Sequence, residues 1–261
     1  TVSGSLSGGL PTEDNLWIED CILLGTSAGN WMEGDGINVG NYQNVHVTGC
    51  YITGTGRHAF EGGGSLRDTF FFGNFIDMQG RGFSGINPTG AVRSTVIGNI
   101  VLNVAAPYYG IDYTSDAGLF PLLDLTVIGN QVTSTTATYA MRIQNTSGVG
   151  SDVNKIRIES NYLQAIYGIV LGASDFPNLK ISNNVFDLGN LAQLLNQAGA
   201  PGGPTPIAGR QVIITENVLV NGSSYPLDFV STFSNWASSR NIRVENNTIG
   251  TSLTDGTTNQ Y

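Results

Sequence analysis

The chain has 261 residues, of which only 12% are charged, and its formal net charge is −9. This charge argues against a nucleic-acid phosphate footprint and against an anionic membrane surface, and it disfavours strongly anionic polysaccharides unless an Arg cluster or a bound cation offsets the repulsion. No apolar run approaches the roughly 18 residues of a membrane-spanning helix, and two cysteines do not make a disulfide-dense scaffold.

The polar composition is dominated by uncharged residues, with lysine only at Lys155 and Lys180. Such polarity without charge is typical of secreted and virion surface proteins. The chain begins at Thr1 with no signal peptide, so we expect a mature form or a fragment of a longer chain. Residues 1–261 are predicted to form a single domain on the extracellular or virion surface, with residues 1–12 as a cap at one end.

Nine segments repeat one pattern, from "LWIEDCIL" to "IRVENNTI". Each has a strand of period two and then a polar anchor, and the anchors recur at intervals of 23 to 33 residues: Cys21, Cys50, Asn74, Asn99, Asn130, Asn161, Asn184, Asn217 and Asn247. The residue three before each anchor is apolar: Ile18, Val47, Phe71, Val96, Val127, Ile158, Ile181, Ile214 and Val244. So is the residue two after it: Leu23, Ile52, Ile76, Val101, Val132, Leu163, Phe186, Leu219 and Ile249.

Units of this length are too short for a domain and too strand-like for a helical repeat, and they can bury their apolar faces only by stacking. The pattern therefore predicts an all-β fold, a parallel β-helix of about nine coils. An Asn at each bend can adopt a left-handed backbone and hydrogen-bond to the Asn of the next coil. Cys21 and Cys50 take the same slot in the first two coils, as stacked free thiols or as a disulfide.

A second strand recurs in each coil, and alternation along it predicts three columns. One points inward: Ile37, Phe60, Ile86, Ile111, Met141, Ile169 and Leu227. The next points outward and is mostly polar: Asn38, Glu61, Asn87, Asp112, Arg142, Val170 and Asp228. The residues before the inward column are small: Gly36, Ala59, Gly85, Gly110, Ala140, Gly168 and Pro226. Small residues beside polar ones indicate either a shallow groove along the helix axis or a tight turn.

A further column contains Asp35, His58, Ser84, Tyr109, Tyr139, Tyr167 and Tyr225. Alternation puts its tyrosines inside as an aromatic stack, whereas a bend before the strand would turn them outward as a sugar-stacking platform. Three stretches leave the repeat: residues 104–122, which carry Tyr109 and Tyr113, residues 189–209, a short helix and then a loop, and residues 231–239. Loops of a solenoid are where function is expected.

Across all nine segments the chain resembles the right-handed parallel β-helix superfamily, which includes pectate lyases, polygalacturonases and phage tailspike depolymerases. "DGINV" followed by "NVHVTGCYI" is similar to a stretch of polygalacturonases, and this resemblance implies a catalytic carboxylate at Asp35. Arg57 and His58 stand where that family has an adjacent acid pair. Tailspikes that resemble this chain are trimers, and Phe70 and Phe72, which fall outward by alternation, favour a homotrimer here.

The carboxylates of the outward column suggest glycoside hydrolysis. Glu61 and Asp112 are two coils apart, which predicts roughly 10 Å between their Cα atoms, near the spacing of inverting glycosidases. Asn87 between them could orient a sugar hydroxyl, and Arg142 could keep Asp112 ionised. We therefore take Glu61 and Asp112 as candidate catalytic residues. The candidate substrate-binding residues are Asp35, Asn38, His58, Asn87, Tyr109, Tyr113 and Arg142. The same carboxylates could instead serve only solvation.

The sequence thus predicts a polysaccharide-engaging β-helix, with hydrolysis of the tailspike depolymerase type as the leading chemistry. One alternative is a non-catalytic carbohydrate-binding or structural surface or tail protein. Another is a polysaccharide lyase, the only case in which we expect Ca²⁺; otherwise no metal or cofactor is expected. The partner is a polysaccharide or cell-surface glycan, with no nucleic acid and no membrane insertion.

Overall fold

The computed structural model describes the chain at residues 2–3, 6–7, 10–11, 13–25, 34–64, 66–115, 122–134, 139–145, 153–172, 178–195, 211–222, 227–229 and 241–251. Within these ranges the chain forms strands and turns and no helix, as the all-β prediction requires. The same ranges contain no helix long and apolar enough to cross a membrane.

The strands form three parallel ladders that run along the stacking axis. The first ladder is a nine-stranded sheet in which each strand ends shortly before an anchor residue. Its strands are Glu13–Glu19, Tyr42–Thr48, Leu66–Phe72, Ala91–Ile97, Leu122–Ile128, Val153–Glu159, Leu179–Ser182, Gln211–Thr215 and Asn241–Glu245.

The second and third ladders are joined through one long strand, Val185–Leu195, into a 17-stranded sheet. The second ladder follows each anchor: Ile22–Leu24, Tyr51–Thr53, Phe75–Arg81, Ile100–Val104, Gln131–Thr133, Tyr162–Gln164, Val185–Leu195, Val218–Gly222 and Thr248–Thr251. The third ladder contains Val2–Ser3, Ile37–Gly40, Phe60–Gly63, Ser84–Pro88, Tyr109–Ser115, Tyr139–Asn145, Tyr167–Gly172, the end of Val185–Leu195 and Leu227–Phe229. Leu6–Ser7 and Leu10–Pro11 form an antiparallel pair.

The chain is therefore a parallel β-solenoid. Five turns pass through all three ladders within continuous described residues: 42–63, 66–88, 91–115, 153–172 and 178–195. About five complete turns are thus shown where the sequence pattern predicted nine, because the turns of the other anchors are interrupted by residues outside the described part. At the N-terminal end, Val2 and Ser3 belong to the segment predicted to be a cap. They pair with Val39 and Gly40 of the third ladder.

The core lies between the ladders and is built from the positions that the repeat predicted. The apolar residues that flank the anchors are buried at every anchor except the first and the last. Val244, beside the last anchor, is 42% exposed because no further described turn covers it. Inward residues of the third ladder, from Ile37 to Ile169, are also buried. Stacking thus buries a continuous apolar column that no single turn could bury alone.

The predicted asparagine ladder is present. Asn99 donates from Nδ2 to Oδ1 of Asn130 at 2.9 Å, and its backbone N–H donates to the same oxygen at 3.0 Å. The same pair of bonds recurs at each step from Asn74 to Asn247. Each Nδ2 also reaches a carbonyl of the preceding turn, for example Phe71. Each anchor therefore ties together three consecutive turns.

The prediction of a left-handed backbone at the anchor is wrong by one residue. The positive φ belongs to the residue before each anchor, and these residues are Asp20, Gly49, Gly73, Gly98, Gly129, Ser160, Asn183, Glu216 and Asn246. Placing the bend there leaves the anchor's own N–H directed along the stack at its neighbour. Glycine is the commonest choice because it alone adopts this conformation without a Cβ penalty.

Both cysteines are free thiols, which decides between the two alternatives. Cys50 is buried, and its Sγ contacts the carbonyl oxygens of Ile18 at 3.6 Å and Thr48 at 3.4 Å. Its backbone N–H donates to Oδ1 of Asn74 at 2.9 Å, as an anchor asparagine would. Cys50 thus occupies an anchor position of the ladder but has no side-chain amide with which to continue the row of amide hydrogen bonds.

Several sequence interpretations need correction. A Cβ on Gly85 would lie 2.5 Å from Val101, and one on Gly110 would lie 2.3 Å from Val132, so the small column packs inside a tight corner and is not a groove. Residues 109–115 form a regular strand of the third ladder, in register with residues 139–145. Residues 189–195 continue the strand Val185–Leu195 where a short helix was predicted. Residues 196–209 and 231–239 lie outside the described residues.

Candidate functional site

A cleft with a volume of about 570 Å³ lies along the third ladder. Its lining combines aromatic rings with polar side chains from consecutive turns: His58, Phe83, Ser84, Asn87, Pro107, Tyr108, Tyr109, Asp112, Tyr139 and Arg142. The register of the ladder brings them together, since Ser84 pairs with Tyr109 and Tyr109 with Tyr139. Mixed apolar and convergent polar groups in a concave site are typical of small-molecule and glycan sites.

An acid pair adjoins this cleft. Asp35 and Glu61 come from neighbouring turns, and one oxygen of each lies within 4.8 Å of the other. The Nδ2 of Asn38 donates to Oδ2 of Asp35 at 2.8 Å and to Oε2 of Glu61 at 2.9 Å. The backbone N–H of His58, a cleft residue, donates to Oδ1 of Asp35 at 3.3 Å. Glu61 is also the ladder neighbour of Asn87, which lines the cleft.

The pKa values of the two carboxyls in the pair are shifted in opposite directions. Burial raises the pKa of Glu61 to about 7, and the hydrogen bond and negative charge of Asp35 add to the shift. Burial acts in the same direction on Asp35, but hydrogen bonds to Glu61, Asn38 and the backbone outweigh it, so its pKa lies below the usual value. One proton is therefore held on Glu61 below about pH 7, while Asp35 is ionised. Divergent pKa values in adjacent carboxyls are a signature of acid–base sites.

Asp112 has a different role in the structure from the one expected. It is 2% exposed, and Arg142 binds both of its oxygens at 2.7 Å, from Nε and Nη2. Ser84 also approaches Oδ2, at 3.3 Å. Burial raises the pKa of Asp112, and the guanidinium opposes that shift. Because Arg142 binds both of its carboxylate oxygens, Asp112 is held as one half of an ion pair in the cleft wall.

The tyrosine column faces the cleft and is not an internal stack, because the bend before the strand turns it outward. Tyr109, Tyr139 and Tyr167 are partly exposed, with ring centroids 5.4 and 5.0 Å apart in a stacked arrangement. The guanidinium of Arg142 lies over the ring of Tyr109, 3.9 Å from its centroid. The ring faces are therefore used by one another, and the column presents ring edges and hydroxyls rather than a sugar-stacking platform. Tyr225 lies outside the described residues.

His58 connects the acid pair with the aromatic wall. It is 6% exposed, and its ring lies 5.6 Å from that of Phe83. Burial lowers the pKa of His58 to about 4, so the imidazole is neutral at pH 7. Its Nδ1 is buried with no hydrogen-bond partner among the described residues. A neutral imidazole beside the acid pair can donate or accept a hydrogen bond.

Asp35, His58 and Glu61 could together hold a metal ion, since each offers one ligand atom and these atoms lie within 4.8 Å of one another. Arg57, however, lies 3.7 Å from Asp35 and 3.5 Å from Glu61. A guanidinium at this position offsets part of the negative charge of the pair and repels a cation. The electrostatics therefore favour a site that works with a proton over one that works with a metal.

The structure gathers most of the predicted site residues into two adjoining groups, and Glu61 and Asp112 lie two turns apart in one column, as the sequence predicted. Asp35, Asn38, His58 and Glu61 form one cluster. Asn87, Tyr109, Asp112 and Arg142 lie in the adjoining cleft. Tyr113 does not belong to the site, because it is fully buried and contacts Ser94 at 2.9 Å.

Sequence reasoning missed the contact between Asp35 and Glu61, and it missed Phe83 and Tyr108 as parts of the cleft wall. A signal for the contact was present in the repeat. Asp35 shares a column with His58, and Glu61 follows His58 by three residues. The two acids were assigned to separate columns, and only the bend between those columns brings them together.

The raised pKa of Glu61 has a consequence for stability that can be measured. The folded protein holds this proton more tightly than the unfolded chain, whose Glu has a pKa near 4.5. The stabilisation is therefore fully present below about pH 4.5 and is lost as the pH rises through about 7. We expect the free energy of unfolding of the wild type, relative to Glu61→Gln, to fall across this window by at most about 3 kcal/mol.

Urea unfolding of both proteins at several pH values between 4.5 and 7.5 measures this difference. Glu159→Gln is the matched control, since Arg157 and Lys180 hold the pKa of Glu159 near 2 and its contribution is constant across the window. A difference between wild type and Glu61→Gln that does not change with pH would show that Glu61 titrates normally.

Fold and site together define an all-β parallel solenoid whose third ladder carries an acid pair beside an aromatic-lined cleft. Comparison with protein-family models, with curated proteins and with solved structures gave no match for this chain. Its function is therefore inferred from fold and site geometry alone.

Proposed function

We propose that this protein is a right-handed parallel β-helix of the pectin-lyase-like kind that engages a polysaccharide along its axis and hydrolyses a glycosidic bond. It would act outside the cell or on a virion surface, as tailspike depolymerases do. The fold supports this proposal only by analogy, because one fold serves many functions. The site provides the stronger support.

The observation that carries the proposal is the acid pair at the edge of the cleft. A protonated carboxyl next to an ionised one is what glycoside hydrolysis requires. Glu61 supplies the proton and Asp35 the negative charge. The backbone N–H of His58, a residue of the cleft wall, donates to Asp35, and Glu61 is the ladder neighbour of Asn87 in the same wall. The row of tyrosine hydroxyls and ring edges offers hydrogen bonds and apolar contact to successive sugars along the axis.

In the first step Glu61 protonates the glycosidic oxygen, the bond from that oxygen to the anomeric carbon breaks, and Asp35 bonds to that carbon. In the second step the Glu61 carboxylate takes a proton from water, the water oxygen attacks the anomeric carbon, and Asp35 leaves. One oxygen of each carboxyl lies within 4.8 Å of the other, which leaves no room for the water that inverting enzymes hold between carboxyls ~6.5–9.5 Å apart. We therefore expect retention of configuration.

One surface feature supports the homotrimer. Trp17 and Phe72 are 58% and 49% exposed, which places apolar surface on the first turns where a homotrimer could bury it. The non-catalytic alternative, a binding or structural protein, uses the same cleft without proton transfer. This non-catalytic alternative is favoured by the ion pair between Asp112 and Arg142, which makes both side chains part of the cleft wall.

The test is reducing-end release from a panel of neutral and acidic bacterial and plant polysaccharides, with the ultraviolet absorbance of unsaturated products followed in parallel. We expect reducing ends without the absorbance, and NMR of the first product should show the retained anomer. Reducing ends with the absorbance would identify a lyase. Binding to a polysaccharide without cleavage would support the non-catalytic alternative.

A further inference from the structure

Asn38 is the side chain that touches both members of the acid pair at hydrogen-bond distance. It lies on the strand Ile37–Gly40, next to Glu61 in the ladder register. A primary amide has two N–H groups, and here they are divided, one to Asp35 at 2.8 Å and one to Glu61 at 2.9 Å. Because these protons are used inside the protein, the Nδ2 of Asn38 is not free to bind a sugar, which was its predicted role.

The other group that reaches both carboxyls is Arg57, and its contacts are looser. Its nitrogens lie 3.7 Å from Asp35 and 3.5 Å from Glu61, and its side chain is 46% exposed. An exposed guanidinium at such distances lowers the charge of the pair but fixes no geometry. Asn38, in contrast, is short, half-buried and held by a strand that is paired on its neighbour. The position of the carboxyls relative to each other therefore depends on Asn38.

We propose that Asn38 is a positioning residue that clamps Asp35 and Glu61 at the spacing at which one proton is shared between them. The use of that proton rests on the proposed hydrolysis, but the clamp itself is a property of the folded protein. Asn38 acts through the two carboxyls and makes no contact with the reacting atoms.

Loss of the clamp and simple loss of two hydrogen bonds change the two pKa values of the acid pair in different ways. Hydrogen bonds from Asn38 favour the charged form of both carboxyls, so their loss alone moves both pKa values upward together. Loss of the clamp lets the carboxyls separate, which weakens their coupling and narrows the interval between the two macroscopic pKa values. The charged or titratable groups that face the pair are Arg57 and His58, and neither is altered by substitution at position 38.

The test is ¹³C NMR titration of the side-chain carboxyls in protein labelled at Asp and Glu, with Asp35→Asn and Glu61→Gln used for assignment. For Asn38→Ala we expect the interval between the two pKa values to narrow by at least about one unit. Asn38→Gln, which keeps both N–H donors, should restore part of the interval. Asn87→Ala is the matched control, because Asn87 is the other ladder neighbour of Glu61 and hydrogen-bonds to Thr89.

An unchanged interval in Asn38→Ala, or a parallel upward shift of both pKa values, would overturn the clamp. Asn38→Ser, which retains a single donor, provides a second variant should Asn38→Ala unfold, and it should also narrow the interval. The titration needs no substrate, so failure of the clamp is distinguishable from failure of the hydrolase proposal. If the protein cleaves a polysaccharide and the clamp is real, the pH optimum of Asn38→Ala should also shift.

Discussion

Glu61→Gln is expected to reduce glycosidic cleavage by about 10³-fold with little change in substrate affinity. Gln preserves the shape of the side chain and can still accept and donate hydrogen bonds, but it has no proton to give to the leaving oxygen. General acid catalysis contributes about 10²–10⁴ to such rates. The loss should therefore appear in kcat, while KM stays close to that of the wild type.

The measurement is the initial rate of reducing-end release on the polysaccharide that the wild type cleaves. Glu159→Gln is the control, because Glu159 is an ion-paired glutamate that is buried on the first ladder, outside the cleft. It should retain wild-type activity once corrected for folded fraction. Wild-type activity in Glu61→Gln would remove Glu61 from the mechanism, and with it both the Asp35–Glu61 pair and the Glu61–Asp112 pair first predicted from spacing.

The sequence predicted the fold well because a solenoid repeats its own signal. Anchor, flanking apolar residues and inward column recur in each turn, so an error in one turn is corrected by the next. The asparagine ladder and the place of Cys50 in its slot followed from the same alignment, which left open whether the thiol was free. The alignment did not predict that the left-handed residue is the one before the anchor. Both positions are polar or small, and only backbone geometry distinguishes them.

The site was less predictable because its geometry depends on where strands begin. Strict alternation placed the column of Tyr109 inside, whereas the bend before the third ladder turns it outward. The same bend brings Asp35 to Glu61 across two columns that alternation keeps apart. Asp112 was correctly paired with Arg142, but one-dimensional alternation cannot show that the pair is buried. Burial at a corner is set by neighbouring turns.

Asn130→Ala is expected to lower the free energy of unfolding by about 4 kcal/mol. The Nδ2 of Asn130 donates to the carbonyls of Val96 and Ile128 and to Oδ1 of Asn161, and its Oδ1 accepts two N–H groups from Asn99. Alanine removes all five bonds in a fully buried column and leaves several polar groups without partners. Each unsatisfied buried group costs about 1–3 kcal/mol.

Urea denaturation measures this loss, with Asn154→Ala as the control, since Asn154 makes an exposed hydrogen bond with Asn178 and should cost less than about 1 kcal/mol.

Introducing an asparagine at an anchor position that lacks one, Cys50, tests the same ladder by a gain of hydrogen bonds. Sγ of Cys50 points at the carbonyls of Ile18 and Thr48, which correspond to those that Asn99 uses at Phe71 and Ile97. Cys50→Asn should therefore add about 1 kcal/mol, by converting two weak thiol contacts into amide hydrogen bonds. If Cys50→Asn destabilised the protein as strongly as Asn130→Ala does, the first turns would not be equivalent to the rest, and the ladder would begin at Asn74 for steric reasons.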